Sequence, residues 1–149
     1  FMRISAKGRY ALAAMINIAQ NYNNGRYITV ISISEKLGIS KIYLAPVFSL
    51  LKRGGLVTSV KGTQGGYLLT RAPKHITAYD ILSSVGLPLF EHADKTVSQN
   101  AHEIDASIRT LVFDTLDSTV KASLEKTTLD DLVEEVEKQK NEHGLMFFI

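Results

Sequence analysis

The side chains best placed to do chemistry here are cations with hydrogen-bonding neighbours. Arg3, Lys7 and Arg9 form one group. Ser40, Lys41, Tyr43 and Lys52 form a second, and Lys61, Gly62, Thr63, Gln64 and Gly65 a third. Ammonium and guanidinium groups pair with phosphate oxygens, hydroxyls and amides reach phosphates or base edges, and glycine lets main-chain N–H groups approach an anion closely. Residues 1–76 hold eleven Lys or Arg against one acid, Glu35, whereas residues 77–149 hold six against fourteen. The net charge of +2 therefore hides a dipolar chain with one half suited to a polyanion, and nucleic acid is the leading partner this implies. No bond-breaking set accompanies these groups. There is no Cys nucleophile, no G-x-S-x-G turn and no pair of carboxylates in an apolar setting, so an enzyme is the weakest of the readings.

Composition bounds the rest. A chain of 149 residues that is 45% hydrophobic can bury one ordinary core and still extend a helix for association. No apolar run has membrane-spanning length. The first ten residues carry Arg3, Lys7 and Arg9, and Asn17 breaks the apolar stretch Ala11 to Ala19, so neither a signal peptide nor a membrane partner is expected and the default location is cytoplasmic. With no cysteine, disulfides and Cys-ligated zinc or iron-sulfur clusters are excluded by composition, and no cofactor is expected. Phe1 ahead of Met2 reads as an added residue outside the fold.

Spacing places these groups on elements. Leu12, Met15, Ile16 and Ala19, with Ala11 and Ile18, predict a first helix buried on one side, its first turn carrying the basic residues. After the Asn23-Asn24-Gly25 turn, Tyr27 and Ile28 suit a short strand. Thr29 is placed to cap a helix carrying Val30, Ile33 and Leu37, which Gly38 would end. Ser40 is placed to cap the next helix. There Leu44, Val47, Phe48 and Leu51 make one apolar stripe and leave Lys41, Ile42, Ala45, Ser49, Lys52 and Arg53 outward. Two helices around a glycine turn, the second basic outside, form a helix-turn-helix pattern whose second helix enters the major groove by its N-terminus. A purely structural helical hairpin would show the same pattern.

Leu56 to Val60 and Tyr67 to Thr70 flank the Gly62, Gly65 and Gly66 loop as a β-hairpin, and a hairpin directly after such a helix is a wing. Lys61 and the tip with Thr63 and Gln64 would reach the minor groove or backbone, with Arg71 and Lys74 adding charge nearby. A nucleotide-phosphate loop is the rival reading of this stretch, but no Gly-Lys-Ser/Thr ending opens a helix.

Taken together, MRISAKGRYAL at Met2 to Leu12, the LGIS turn, IYLAPVFSLLKRGGLVTSVKG and GGYLLTR resemble the Rrf2 family of bacterial transcription regulators, over Met2 to about Leu87. More weakly, Ile104 to Val133 is similar to the family's dimerisation and closing helices. The resemblance implies a homodimeric winged-helix regulator on a two-fold operator. By position, Arg3, Lys7, Arg9, Ser40, Tyr43 and the Lys61 to Gly65 tip correspond to stretches that contact DNA. Two departures stand out. Relatives that hold an iron-sulfur cluster supply three cysteines where Leu89 to Glu103 has none. Ala45-Pro46 also replaces a polar pair common in the recognition helix. Proline there removes a backbone hydrogen bond and predicts a late start or a kink, and Ala45 could meet a base only by apolar contact, for instance with a thymine methyl.

In the acidic half, Thr77 and Asp80 form a capping box ahead of Ile81, Leu82 and Val85, with Gly86 and Pro88 as the stop. Phe90 to Glu103 reads as a loop. Ile104, Ile108, Leu111, Val112, Thr115, Leu116 and Val120 then predict a long amphipathic helix, and Thr128 with Asp131 caps another bearing Leu129, Leu132, Val133 and Val136. The first of these stripes cannot bury itself. Through the resemblance, Ile104, Ile108, Leu111, Val112, Leu116 and Val120 are expected to form a dimer seam. His92 and His102 near Glu91, Asp94 and Glu103 suggest a metal or a small effector, but match no zinc spacing and are better read as surface residues.

The expected fold is therefore mainly α with a small β-hairpin. It comprises a winged helix-turn-helix domain over 2–76, a helical dimerisation and effector region over 77–140 with a long C-terminal dimerisation helix, and a tail over 141–149, either disordered or an added extension. The expected function is a DNA-binding repressor acting as a homodimer, without an iron-sulfur cluster and open to a small-molecule or protein effector. The alternative is a winged-helix interaction module that binds a metabolic enzyme rather than DNA.

Overall fold

The computed structural model describes residues 4–60, 66–86 and 95–148. Helix α1, Ala6–Gln20, starts where the Ser5 hydroxyl accepts the Gly8 N–H at 3.2 Å. It is buried on more than one side. Ala11, Ala14, Met15, Ile18 and Ala19 are all within the core, while Leu12 and Ile16 of the expected stripe are only partly covered. Asn17, expected to interrupt the apolar stretch, is itself buried at 3% exposure, and its amide nitrogen has no hydrogen-bond partner. The correction has a simple cause: α1 is packed against by α2 (Val30–Leu37), α3 (Lys41–Arg53), α4 (Ala78–Ser84), α7 (Leu129–Phe148) and the second hairpin strand, so no polar side remains in mid-helix.

The Thr29 and Ser40 hydroxyls cap α2 and α3, and Gly38 turns the chain between them with φ +67°. Leu44, Val47, Phe48 and Leu51 of α3 are all at 1% exposure or less, as their spacing requires. The expected late start is not what the structure shows: the helix begins at Lys41 and continues through Pro46 to Arg53. The one bond proline removes would have ended on the Ile42 carbonyl, in a residue 79% exposed, where water can satisfy that oxygen.

Strands β1 (Val57–Val60) and β2 (Gly66–Leu69) pair antiparallel with Val57 opposite Leu69 and Val60 opposite Gly66. The expected strand at Tyr27 and Ile28 shrinks to one bridge, in which Ile28 and Tyr67 exchange backbone hydrogen bonds of 2.9 and 3.1 Å. The Tyr67 ring stacks on Phe48 at 4.4 Å, and the Thr70 hydroxyl donates to the Gly55 carbonyl at 2.6 Å. The base of the hairpin is thereby held to the helix before it.

Thr77 and Asp80 form the expected capping box of α4, and Thr128 with Asp131 makes the same reciprocal pair at the start of α7. Thr77 and Thr128 also bridge, with Leu129 N–H donating to the Ile76 carbonyl at 2.7 Å. One apolar cluster runs from Ala11 through Phe48 and Ile76 to Ile81, Val85 and Leu129, crossing residue 76 without a break. Helix α7 continues through residues 141–148, read from sequence as a tail; Gln139–Glu135 and Lys140–Glu137 contacts support it and no proline stops it.

Between these, α5 (His102–Ile108), a π-helical turn (Arg109–Phe113) and α6 (Asp114–Glu125) follow one another directly. The helix starts two residues earlier than the apolar spacing indicates. The Asp105 carboxylate accepts the Thr96 and Val97 N–H groups and ties down the preceding segment.

Helices α3 and α4 approach each other at Gly54. A methyl group there would come 2.8 Å from the Ser84 Cβ and closer still to its hydroxyl, which already donates to Asp80. Gly54→Ala should therefore lower stability by about 1–3 kcal/mol, the range for overpacking a tight contact, read as a lower urea midpoint with an unchanged slope.

Candidate nucleic-acid interface

The outer face of α3 is built by its own periodicity. With the Leu44, Val47, Phe48 and Leu51 edge buried, Lys41, Ile42, Tyr43, Ala45, Pro46, Ser49, Lys52 and Arg53 are left exposed. The Ser40 hydroxyl accepts the Ile42 N–H at 3.3 Å as the cap, so its own O–H remains available to donate outward. The α3 N-terminus brings its partial positive charge to the same end as Lys41. Lys52 lies at the other end, about 16 Å further along the axis, where it could meet a phosphate but not the same base.

Helix α1 flanks this end of α3. The Tyr10 ring meets the Tyr43 ring at 6.0 Å between centroids, tilted by 41°. Lys7 precedes Tyr10 by three residues and shares its side of α1, so it borders the α3 N-terminus. Lys7 and Arg9 are both exposed, and the Arg9 guanidinium donates to the Ile4 carbonyl at 2.8 Å, which orients it over the first turn of α1. The structure thus brings Lys7, Ser40, Lys41 and Tyr43 to one end of the helix pair. Arg3 and the hairpin tip, Lys61, Gly62, Thr63, Gln64 and Gly65, lie outside the described residues.

Arg71, expected to add charge near the hairpin, is also engaged within the fold. Its guanidinium donates to the His75 carbonyl at 2.8 Å and to the Asp80 carboxylate at 3.1 Å, the same carboxylate oxygen that accepts the Thr77 N–H. It fastens the strand end to α4. Sequence reasoning also missed Tyr10 and Tyr67. Each looks like an ordinary helix or strand aromatic, and only the packing of α1 and the hairpin against α3 reveals that they hold the exposed face in position.

The apolar stripe of the long helix is uncovered. Ile104 is 52% exposed, Leu111 75%, Val112 47% and Leu116 42%, while Ile108 and Val120 are partly covered. Phe113, outside the expected spacing, is 42% exposed beside them. The π turn explains it, since five residues in a wider turn advance the stripe by one position, which no α-helical period in the sequence foretells.

The donor set for an iron-sulfur cluster is absent. The chain has no cysteine, no group of three or more His, Asp or Glu suited to a metal occurs among the described residues, and Asp105 is already engaged with backbone N–H groups. His102 lies 3.7 Å from Glu103 on an exposed helix start; His92, Glu91 and Asp94 lie outside the described residues. These residues do not fit a thiolate-held cluster.

Comparison with known proteins follows this geometry. The model of the Rrf2 family, described as an iron-dependent transcriptional regulator, matches residues 4–135. The HTH-type transcriptional regulator IscR of Pectobacterium carotovorum subsp. carotovorum (strain PC1) is 36% identical over 135 residues, covering 89% of this chain and 79% of that one. Among solved structures, T. potens IscR superimposes with a TM-score of 0.69 at 30% identity, covering 92% of this chain and 90% of the other. CymR (YrzC), the global cysteine regulator of B. subtilis, gives 0.68 at 33%, covering 91% and 98%. These relatives are transcription regulators and not enzymes, and they lend no support to an interaction module that binds a metabolic enzyme. No helix among the described residues is long and apolar enough to cross a membrane. A winged helix-turn-helix whose exposed face is basic, matched over nearly its whole length by such proteins, identifies the chain as a member of the Rrf2 family of DNA-binding transcription regulators.

Proposed function

We propose that this regulator is a homodimeric repressor that sets one α3 from each protomer into successive major-groove faces of a two-fold operator, without an iron-sulfur cluster. The observation that carries the reading is the pairing of two uncovered surfaces in one chain: the basic α3 face beside Lys7, and the apolar stripe on the helix over residues 102–125. In this reading Arg3, Lys7, Arg9, Lys52 and Lys61 contact phosphates, with Gly62 to Gly65 bringing backbone N–H groups to the minor-groove edge. Ser40, Lys41 and Tyr43 lie nearest the bases. Ile104, Ile108, Leu111, Val112, Leu116 and Val120, joined by Phe113, form the seam with a second copy. The acids of this half would keep it off DNA and so orient the dimer. A small-molecule or protein effector takes the place of the cluster as signal.

Selection of bound genomic fragments supplies an operator, and affinity is then measured across a salt series. Log affinity should fall linearly with log salt, with about six to ten counterions released per dimer. Lys52→Ala or Lys61→Ala should weaken all duplexes similarly and flatten the slope, whereas Lys41→Ala or Tyr43→Phe should change which sequences are preferred. Salt-independent binding, or none to any fragment, overturns the reading.

Association is tested separately. On a monomer, Leu111→Asp at a 75% exposed position should alter stability by no more than about 0.5 kcal/mol. At a dimer seam it buries a carboxylate among apolar side chains, so sedimentation equilibrium should show the mass falling from two chains to one. An unchanged mass removes the proposed seam.

A further inference from the structure

The outer face of α3 is apolar over its first two turns, ahead of the exposed Ser49. Ile42, Ala45 and Pro46 stand at i, i+3 and i+4, hence on one side of the helix, and all three are exposed, Ile42 at 79%. They offer no side-chain hydrogen bond. Pro46 also lacks a backbone N–H, and its ring presents only carbon to the outside. Charge sits around this patch: Lys7 and Lys41 near one end, Lys52 and Arg53 at the other. The Tyr10 and Tyr43 rings brace the first turn at 6.0 Å, and Phe48 against Tyr67 braces the inner side at 4.4 Å. An apolar patch inside a cationic frame is matched to a surface that is anionic at its margins and apolar at its centre. In the major groove only one base presents such a group, thymine, through its 5-methyl.

We infer that Ile42, Ala45 and Pro46 read pyrimidine 5-methyl groups in the major groove, making thymine-rich steps, and 5-methylcytosine in place of thymine, the features this helix selects. The inference rests on the DNA-binding reading above and deepens it. A patch of this kind distinguishes thymine from cytosine and uracil by burial of a methyl. It distinguishes 5-methylcytosine from thymine far less, since no donor or acceptor from these three residues checks the neighbouring position of the ring. Lys41, Tyr43 and Ser40 would then supply hydrogen bonds to adjacent groups and set the register of the patch on the bases.

The test uses the full chain and three libraries of random-core duplexes that differ only at the pyrimidine 5-position: thymine with cytosine, uracil with cytosine, and uracil with 5-methylcytosine. The expected result is an enriched motif with fixed thymines in the first library, loss of those fixed positions in the second, and their occupation by 5-methylcytosine in the third. On the best duplex from the first library, replacing a contacted thymine by uracil should weaken binding about fourfold per methyl, the factor set by removing one methyl-sized apolar group from water. In Ile42→Ala that penalty should shrink towards onefold at the position Ile42 covers, and elsewhere persist. Ile42 is exposed, so the variant should keep the wild-type melting temperature, and Ile42→Gln serves as a second variant with the methyl contact removed. Equal binding of thymine and uracil duplexes by the wild type, or an undiminished uracil penalty in both variants, overturns the inference while leaving DNA binding intact. Retention of no duplex from any library overturns both.

Discussion

Helix α1 is enclosed by other elements, and the rest of the molecule depends on that enclosure. Its small residues Ala11 and Ala14 are fully buried, and a side chain at Gly8 would collide with Ile4 and press on Leu82. Short side chains let the backbones of neighbouring helices come close, so α3, α4 and α7 can all pack on one cylinder. Larger residues at these positions would push at least one of the three away. Because α3 carries the exposed basic face and α7 begins beside α4, α1 is the part that makes the two oppositely charged halves one folded body. The buried Asn17 shows how completely the surrounding packing overrides local polarity.

The exposed face of α3 is held from both sides by aromatic contacts. Tyr43 meets Tyr10 on α1, and Phe48 stacks on Tyr67 of the hairpin, whose backbone is tied to Ile28. The exposed residues of α3 thus project from a helix with little freedom to roll, and positional reading of bases depends on such stiffness. Pro46 is tolerated within this frame because the Ile42 carbonyl that loses its donor belongs to an exposed residue. What it removes from hydrogen-bonding capacity it returns as apolar surface.

Charge and apolar exposure are kept apart along the chain. The basic residues surround α3 and α1, while the uncovered apolar stripe runs along a helix whose acids include Asp105, Asp114 and Asp117. Repulsion between those acids and phosphate would keep the apolar stripe available for protein contact. The π turn widens that stripe by bringing Phe113 alongside Leu111 and Val112, giving a broader patch than a regular helix of the same sequence would present.

Local signals in the chain were sufficient for the caps at Thr29, Ser40, Thr77 and Thr128, the Gly38 turn, the buried edge of α3, the hairpin strands and the charge segregation. Each depends on neighbours within a few residues, where hydrogen-bond geometry and side-chain period act directly. The motifs around α1, α3 and the hairpin were specific enough to indicate the Rrf2 family, and the absence of cysteine was decisive against a thiolate-held cluster. Tertiary packing alone decided the features that join distant segments: the burial of Asn17, the pairing of Arg71 with Asp80, the Tyr10–Tyr43 and Phe48–Tyr67 contacts, the close approach at Gly54 and the continuation of α7 past residue 140. It also decided that α3 continues through Pro46, so that this residue joins Ile42 and Ala45, already placed outward by their spacing, in one exposed patch. Sequence spacing states which residues share a side, but whether proline breaks that helix depends on where its orphaned carbonyl points, and that is set by the elements packed behind it.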